Sequence, residues 1–186
     1  MKTIKMAMAA FAVALAMTAR GSEPVVVLKV GQPKLATKVA DKWKSHHSSS
    51  CSKEITKTRS YAGSVGCVLP KGEKTEIGIE AFFVTSQMHG GAPQVSDRMV
   101  VELFEFGDGS SQTRKFSFVS PETKERKEVR TGWGYDGDSR TAKRMGEKYL
   151  GVIVRAVIDG KVVKVVSVPN NAKWNAAAKE DTFILQ

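Results

Sequence analysis

Histidine and cysteine are scarce in this chain, with three of the first and two of the second among 186 residues. That scarcity excludes the Cys/His zinc frameworks and paired C-x-x-C motifs, which need four ligands at short spacing. The signatures H-E-x-x-H, G-x-S-x-G and the phosphate-binding P-loop are also missing, so the familiar metalloprotease, esterase and NTP-hydrolysing chemistries have no foothold. Long apolar runs are lacking as well. The longest, Met6 to Met17, has twelve residues, short of the roughly 20 that a transmembrane helix needs.

That one apolar run has a particular context. Lys2 and Lys5 precede it, and small residues follow at Ala14-Leu15-Ala16, Met17-Thr18-Ala19 and Ala19-Arg20-Gly21. A charged start, an apolar stretch of this length and small residues suited to a signal peptidase form an export leader in its usual order. Residues 1–21 are therefore expected to be a signal peptide, with the mature N-terminus between Arg20 and Ser22. A periplasmic or extracellular location follows. The mature chain has 165 residues, enough for one domain with a core of normal size. Removing Lys2, Lys5 and Arg20 leaves 26 basic residues against 19 acidic ones, a net charge of +7. An exported basic protein meets anionic glycans, phospholipid head groups and acidic polymers before nucleic acid, whose claim rests here on charge alone. The lysines are interspersed with glutamates, as in Lys124-Glu125-Arg126-Lys127-Glu128, which reads as a charge-mixed, solvated surface.

An oxidising compartment would favour a bond between Cys51 and Cys67. Sixteen steps of one straight strand would separate them by roughly 50 Å, far beyond disulfide reach, so the bond requires a chain reversal. Gly63, Ser64 and Gly66 are the residues able to provide it.

Along the mature chain, Val25 to Val30 reads as a first strand. Lys34 to Ser50, with its lone Trp43 and the tract Ser45-His46-His47-Ser48, has no apolar period and is expected to be a flexible loop. Glu54 to Leu69 has strand character. Glu76 to Ser86 alternates, with Ile77, Ile79, Ala81 and Phe83 on one face, and Met99 to Phe106 alternates again. Asp108-Gly109 and Asp159-Gly160 each separate two β-rich runs, which predicts two hairpins because both residue types tolerate positive φ. A two-residue loop at Asp159-Gly160 sets Ile158 opposite Lys161, Ala156 opposite Val163 and Arg155 opposite Lys164, the last an unfavourable pair. Asn170-Asn171 caps a short helix from Trp174 to Lys179, and Phe183-Ile184-Leu185 packs back onto the body. Seven or eight short strands in 22–186 predict an all-β fold, a single antiparallel β-sandwich with a short C-terminal helix. The segments Tyr149 to Lys164, Ser167-Val168-Pro169 and Glu76 to Val84 resemble uncharacterised exported bacterial proteins of Ig-like sandwich type, over about a third of the chain. That resemblance implies the Ig-like form of the sandwich and offers no activity or site residue to carry over.

The candidates for chemistry are few. His46-His47 are adjacent in sequence, and adjacent side chains seldom ligate one ion together. His89, before Gly90-Gly91, reads as a loop tip. Trp133-Gly134-Tyr135-Asp136-Gly137-Asp138 has two aspartates at alternate positions but lacks the remaining ligands of a calcium loop. Its aromatics Trp133 and Tyr135 suit stacking on a ligand and are the expected contact residues. No cofactor and no metal are expected. These readings point to an exported non-enzymatic binding or scaffolding module whose partner is an envelope glycan or protein. The alternative is a carbohydrate-binding module or a glycoside hydrolase pairing Glu76 or Glu80 with Glu102, whose carboxyls would have to lie roughly 5 to 9.5 Å apart.

Overall fold

The computed structural model describes residues 23–44, 50–107, 111–134, 137–180 and 185, with the side chains of 41–44, 50–51, 129–134 and 137–142 outside the description. The expected signal peptide, His46, His47, Tyr135 and the Asp108-Gly109 turn lie outside the described residues.

The spine of the fold is β3 (Ser50–Val68), nineteen residues of continuous strand. Its one edge pairs first with β1 (Val25–Val30) and then, past Gly31-Gln32-Pro33, with β2 (Lys34–Lys44). Its other edge pairs with β6 (Gln112–Val119) and then with β7 (Thr123–Gly134). A second set of strands runs in the order β5 (Gln94–Gly107), β4 (Lys74–Gln87), β8 (Gly137–Ile158) and β9 (Lys161–Val168). Strand β8 joins the two sets. Its first ten residues pair with β7 and the rest with β4 and β9. All these pairings are antiparallel, and one short helix, α1 (Ala172–Ala177), follows. The all-β expectation therefore holds.

The passage of β8 from one set to the other occurs at Gly146, whose φ is +118°. A side chain there would be driven into the carbonyl oxygen of Lys124. Gly63 on β3 is required for another reason, since a Cβ would collide with the ring of Phe116.

Apolar alternation positions the core. Leu28, Tyr61, Val65, Cys67, Phe116 and Phe118 from the first set meet Ile77, Ile79, Ala81, Phe83, Val152, Val154 and Ala156 from the second in one cluster. The expected inward face of β4 is thus correct. Its other face is covered too: Phe82 and Val84 join Ile153, Trp174, Ala178 and Leu185 in a second cluster under α1 and the C-terminal segment. Asn171 caps α1 as expected, its side chain accepting from the backbone N–H groups of Lys173 and Trp174.

Four expectations are corrected. Lys34 to Lys44 is not a loop but strand β2, because all of its residues but Lys42 find partners on β3, even though the described side chains, 34–40, are all exposed. The runs flanking Asp108-Gly109 do not pair with each other. β5 bonds to β4 and β6 to β3, so the chain changes sheets there. Residues 63–66 do not reverse the chain but remain extended between β1 and β6, which leaves positions 51 and 67 sixteen residues apart on one strand. The bond expected between Cys51 and Cys67 is not found: Cys67 is a buried free thiol, and burial pushes its pKa up, while the side chain of Cys51 is outside the description. Finally, the Asp159-Gly160 hairpin forms with φ of 48° and 76°, and Ile158 faces Lys161, but a bulge between Ala156 and Val157 shifts the rest by one residue. Arg155 consequently lies opposite Val165, and the unfavourable pair with Lys164 is avoided. Gly160→Val should lower stability by roughly 1–2 kcal/mol in urea unfolding, since a β-branched residue resists positive φ.

Candidate binding surface

The carboxylates weighed for hydrolysis do not converge. Glu102 is opposite Ile79, on the side of the sheet that carries the core residues, whereas Glu76 is opposite Glu105 on the other side. Glu80 is already engaged. Arg155 Nε donates to its Oε2 and Arg98 Nη2 to its Oε1, each at 2.5 Å. Burial alone would raise the Glu80 pKa, but the hydrogen bonds and charges of the two arginines outweigh it and hold the carboxyl below its ordinary range. Arg155 is itself buried, lies 4.8 Å above the Phe82 ring and donates to the backbone carbonyl of Glu180 at 3.2 Å. This cluster fastens the C-terminal segment to β4 and β8.

A cavity of about 590 Å³ opens at the ends of β4, β5 and β6, lined by Lys74, Glu76, Glu105, Phe106, Gln112 and Arg114. The charges of its walls are mixed and its carboxylates are exposed. Among the described residues no group of His, Cys, Asp and Glu side chains is arranged to hold a metal. His89 lies exposed in the turn after β4, as expected of a loop tip.

The clearest departure from an ordinary globular surface is elsewhere. Neither β2 nor β7 contributes a described residue to either apolar cluster. Together with the first parts of β3 and β8 they form a four-stranded ribbon, in the order β2-β3-β7-β8, that extends beyond the core. Its base is locked to the body by Arg59. The guanidinium of Arg59 lies 4.0 Å from the centre of the Tyr149 ring and donates to Thr123 Oγ1 at 3.3 Å, and its backbone N–H donates to Ser120 Oγ. The Tyr149 hydroxyl meets that of buried Tyr61 at 2.7 Å, and burial keeps both phenols neutral by raising their pKa.

The described side chains of the ribbon, in 34–40, 52–57, 123–128 and 143–146, include nine lysines and arginines against three glutamates. Two of the glutamates are paired within the ribbon, Glu125 with Lys57 at 2.5 Å and Glu128 with Arg126 at 3.0 Å. Lys53 lies directly opposite Lys127, and Lys127 directly opposite Arg144, so three cations follow one another in a cross-strand row that Asp41 of β2 begins, opposite Lys53. Like charges in that position repel. Charge that looks interspersed along the sequence is thereby concentrated by strand pairing, which linear spacing does not reveal.

Of the two aromatics expected to contact a ligand, the backbone of Trp133 lies at the far end of this ribbon. It is in β7, paired with Asp138 of β8, and Gly134 pairs with Gly137, so these residues are strand and not a loop of the body. The side chain of Trp133 and all of Tyr135 lie outside the described residues. No protein-family model, curated protein or solved structure matches the chain.

Proposed function

We propose that this chain is an exported, non-enzymatic binding module of the cell envelope, an Ig-like β-sandwich body that holds out the β2-β3-β7-β8 ribbon to engage an anionic partner. The observation that carries the reading is the excess of cations among the described side chains of the ribbon, nine against three glutamates, with Lys127 and Arg144 in one cross-strand row, on strands β2 and β7 that contribute no described residue to either apolar cluster. A cost in cross-strand repulsion is offset when an anion lies across the row. The core cluster shared by the two sets of strands supports the sandwich, and the leader-like start supports export. Trp133 and Tyr135 supply stacking contacts.

The test is sedimentation of the purified protein with isolated envelopes. Binding should fall steeply as ionic strength rises from about 0.05 to about 0.5 M, because exposed charges are screened within a few ångströms at the upper end. Trp133→Ala should weaken it by about 1–3 kcal/mol at unchanged thermal stability. Intact mass of the exported protein should begin between Arg20 and Ser22. Salt-insensitive binding, retention of Met1 to Met17 in the exported product, or turnover of a glycan or peptide substrate would each overturn this reading.

A further inference from the structure

Where β8 changes sheets, the two sets of strands part. Its pairing with β7 ends at Gly146, and its pairing with β4 begins at Glu147. A cavity of about 210 Å³ lies at this fork, between Thr85 of β4, Asp97 of β5, Glu122 just ahead of β7, and Glu147 and Tyr149 of β8.

Its charged lining is of one sign. Asp97, Glu122 and Glu147 line it and no lysine, arginine or histidine does, although the chain as a whole carries a net charge of +10. Arg59 touches Tyr149 and Thr123 but stands outside the lining. The three carboxylates are exposed, so a ligand reaches them from solvent. Neither the Glu122 nor the Glu147 side chain has an ion-pair or hydrogen-bond partner among the described residues, and the Asp97 side chain accepts from the backbone N–H of Arg98.

The hydroxyls of the cavity separate one group from the rest. Ser96 Oγ donates to the Phe83 carbonyl, Thr123 Oγ1 to the Lys57 carbonyl, and the Tyr149 hydroxyl bonds to that of Tyr61. Thr85 is 2% exposed, and its Oγ1 has no hydrogen-bond partner among the described residues. Val84 belongs to the second cluster, so strand alternation turns Thr85 to the inward side, beside its cross-strand partner Tyr149 and onto the cavity. A buried hydroxyl without a partner costs free energy that a ligand able to bond to it recovers.

We propose that this cavity binds a primary ammonium group carried on a short methylene chain. An ammonium has three donors and no acceptor, which suits carboxylates on several sides and one hydroxyl free to accept. Phe83, Tyr149 and Pro121 supply apolar lining for the methylenes. A directly bound metal ion would need several oxygen ligands converging at short distance, and no group of His, Cys, Asp and Glu among the described residues is arranged that way. A quaternary ammonium would use the carboxylates and leave the Thr85 hydroxyl without a donor.

Such a group comes either from a free diamine or from a lysine side chain of a partner polypeptide. Titration calorimetry of the protein, purified as the producing cell delivers it, with diaminobutane and with doubly blocked lysine separates the two sources. Diaminobutane is expected to bind more tightly, because three carboxylates exceed the charge of one ammonium. Its permethylated form, which keeps both charges and has no N–H, should bind about tenfold more weakly. Thr85→Val should lower affinity by about tenfold, and the melting temperature of the ligand-free variant should stay the same or rise, since a methyl replaces a hydroxyl that bonds to nothing. Glu122→Gln with Glu147→Gln should lower affinity by about tenfold or more. Glu73→Gln with Glu102→Gln, the same change in net charge away from the cavity, should leave it unchanged.

No binding of either amine at millimolar concentration, equal binding of the permethylated compound, or tighter binding of magnesium or calcium ions would each overturn the proposal. Unchanged affinity in Thr85→Val would overturn it as well, and so would a lowered melting temperature, which would give the hydroxyl to the fold. None of these outcomes touches the ribbon reading, because the ribbon's lysines and arginines lie outside this cavity.

Discussion

Gly146→Ala should destabilise the protein by about 3 kcal/mol or more, the largest effect expected of a methyl group added at any of the described glycines. Two costs coincide at this position. Its φ of +118° is a conformation that residues with a Cβ rarely adopt, and the new methyl would overlap the carbonyl oxygen of Lys124, a backbone atom fixed by the pairing of β7. A flexible side chain could move aside, but this carbonyl cannot without breaking the ladder. The consequence is structural, because β8 leaves β7 at this residue and continues beside β4. Gly72 and Gly90 provide the comparison. Their φ values are 86° and 95°, yet nothing stands within 4 Å of an added Cβ, so alanine at either should cost only about 1–2 kcal/mol. Urea unfolding of the three variants separates strain combined with collision from strain alone. A loss at Gly146 no greater than at Gly72 would show that β8 can change partners without this glycine.

That crossover also explains which parts of the fold were legible from sequence. Periodicity reads burial, and where burial alternates it read well. β1, β6 and the inward face of β4 appear as expected, as does the Asp159-Gly160 turn with its two positive φ values. The ribbon was illegible for the same reason. All seven described side chains of β2, from Lys34 to Ala40, are exposed, so this part of the strand is held by its backbone pairing with β3 and carries no buried alternation to detect. Asp108-Gly109 misled because a turn-forming dipeptide reports local geometry and not which strands pair. The candidate surface was hidden further still. Lys53, Lys127 and Arg144 are separated by 74 and 17 positions in sequence, and only the register of three strands sets them side by side.

Arg155→Met should destabilise by about 3 kcal/mol, since removing one member of a buried ion pair leaves the other charge without its main partner. The side chains of Arg155 and Glu80 are 4% and 12% exposed, so water cannot replace what is lost. Arg98 remains to hold one oxygen of Glu80, and this keeps the loss moderate. The Glu180 carbonyl loses its donor as well, and with it a tie between the C-terminal segment and β8. The contribution has a definite pH dependence. The folded-state pKa of Glu80 is depressed below the ordinary carboxylate value of about 4.3. Its stabilisation is therefore present in full above that value and is lost as pH falls through the depressed one. Glu80→Gln removes this titration. The variant should be less stable than the natural protein at pH 7, and the difference should narrow steadily below about pH 4. Urea unfolding of both proteins at a series of pH values measures it. A difference of the same size at pH 7 and at pH 3 would mean that the Glu80 charge contributes nothing to the fold, and that Arg155 is held by Phe82 and the Glu180 carbonyl alone.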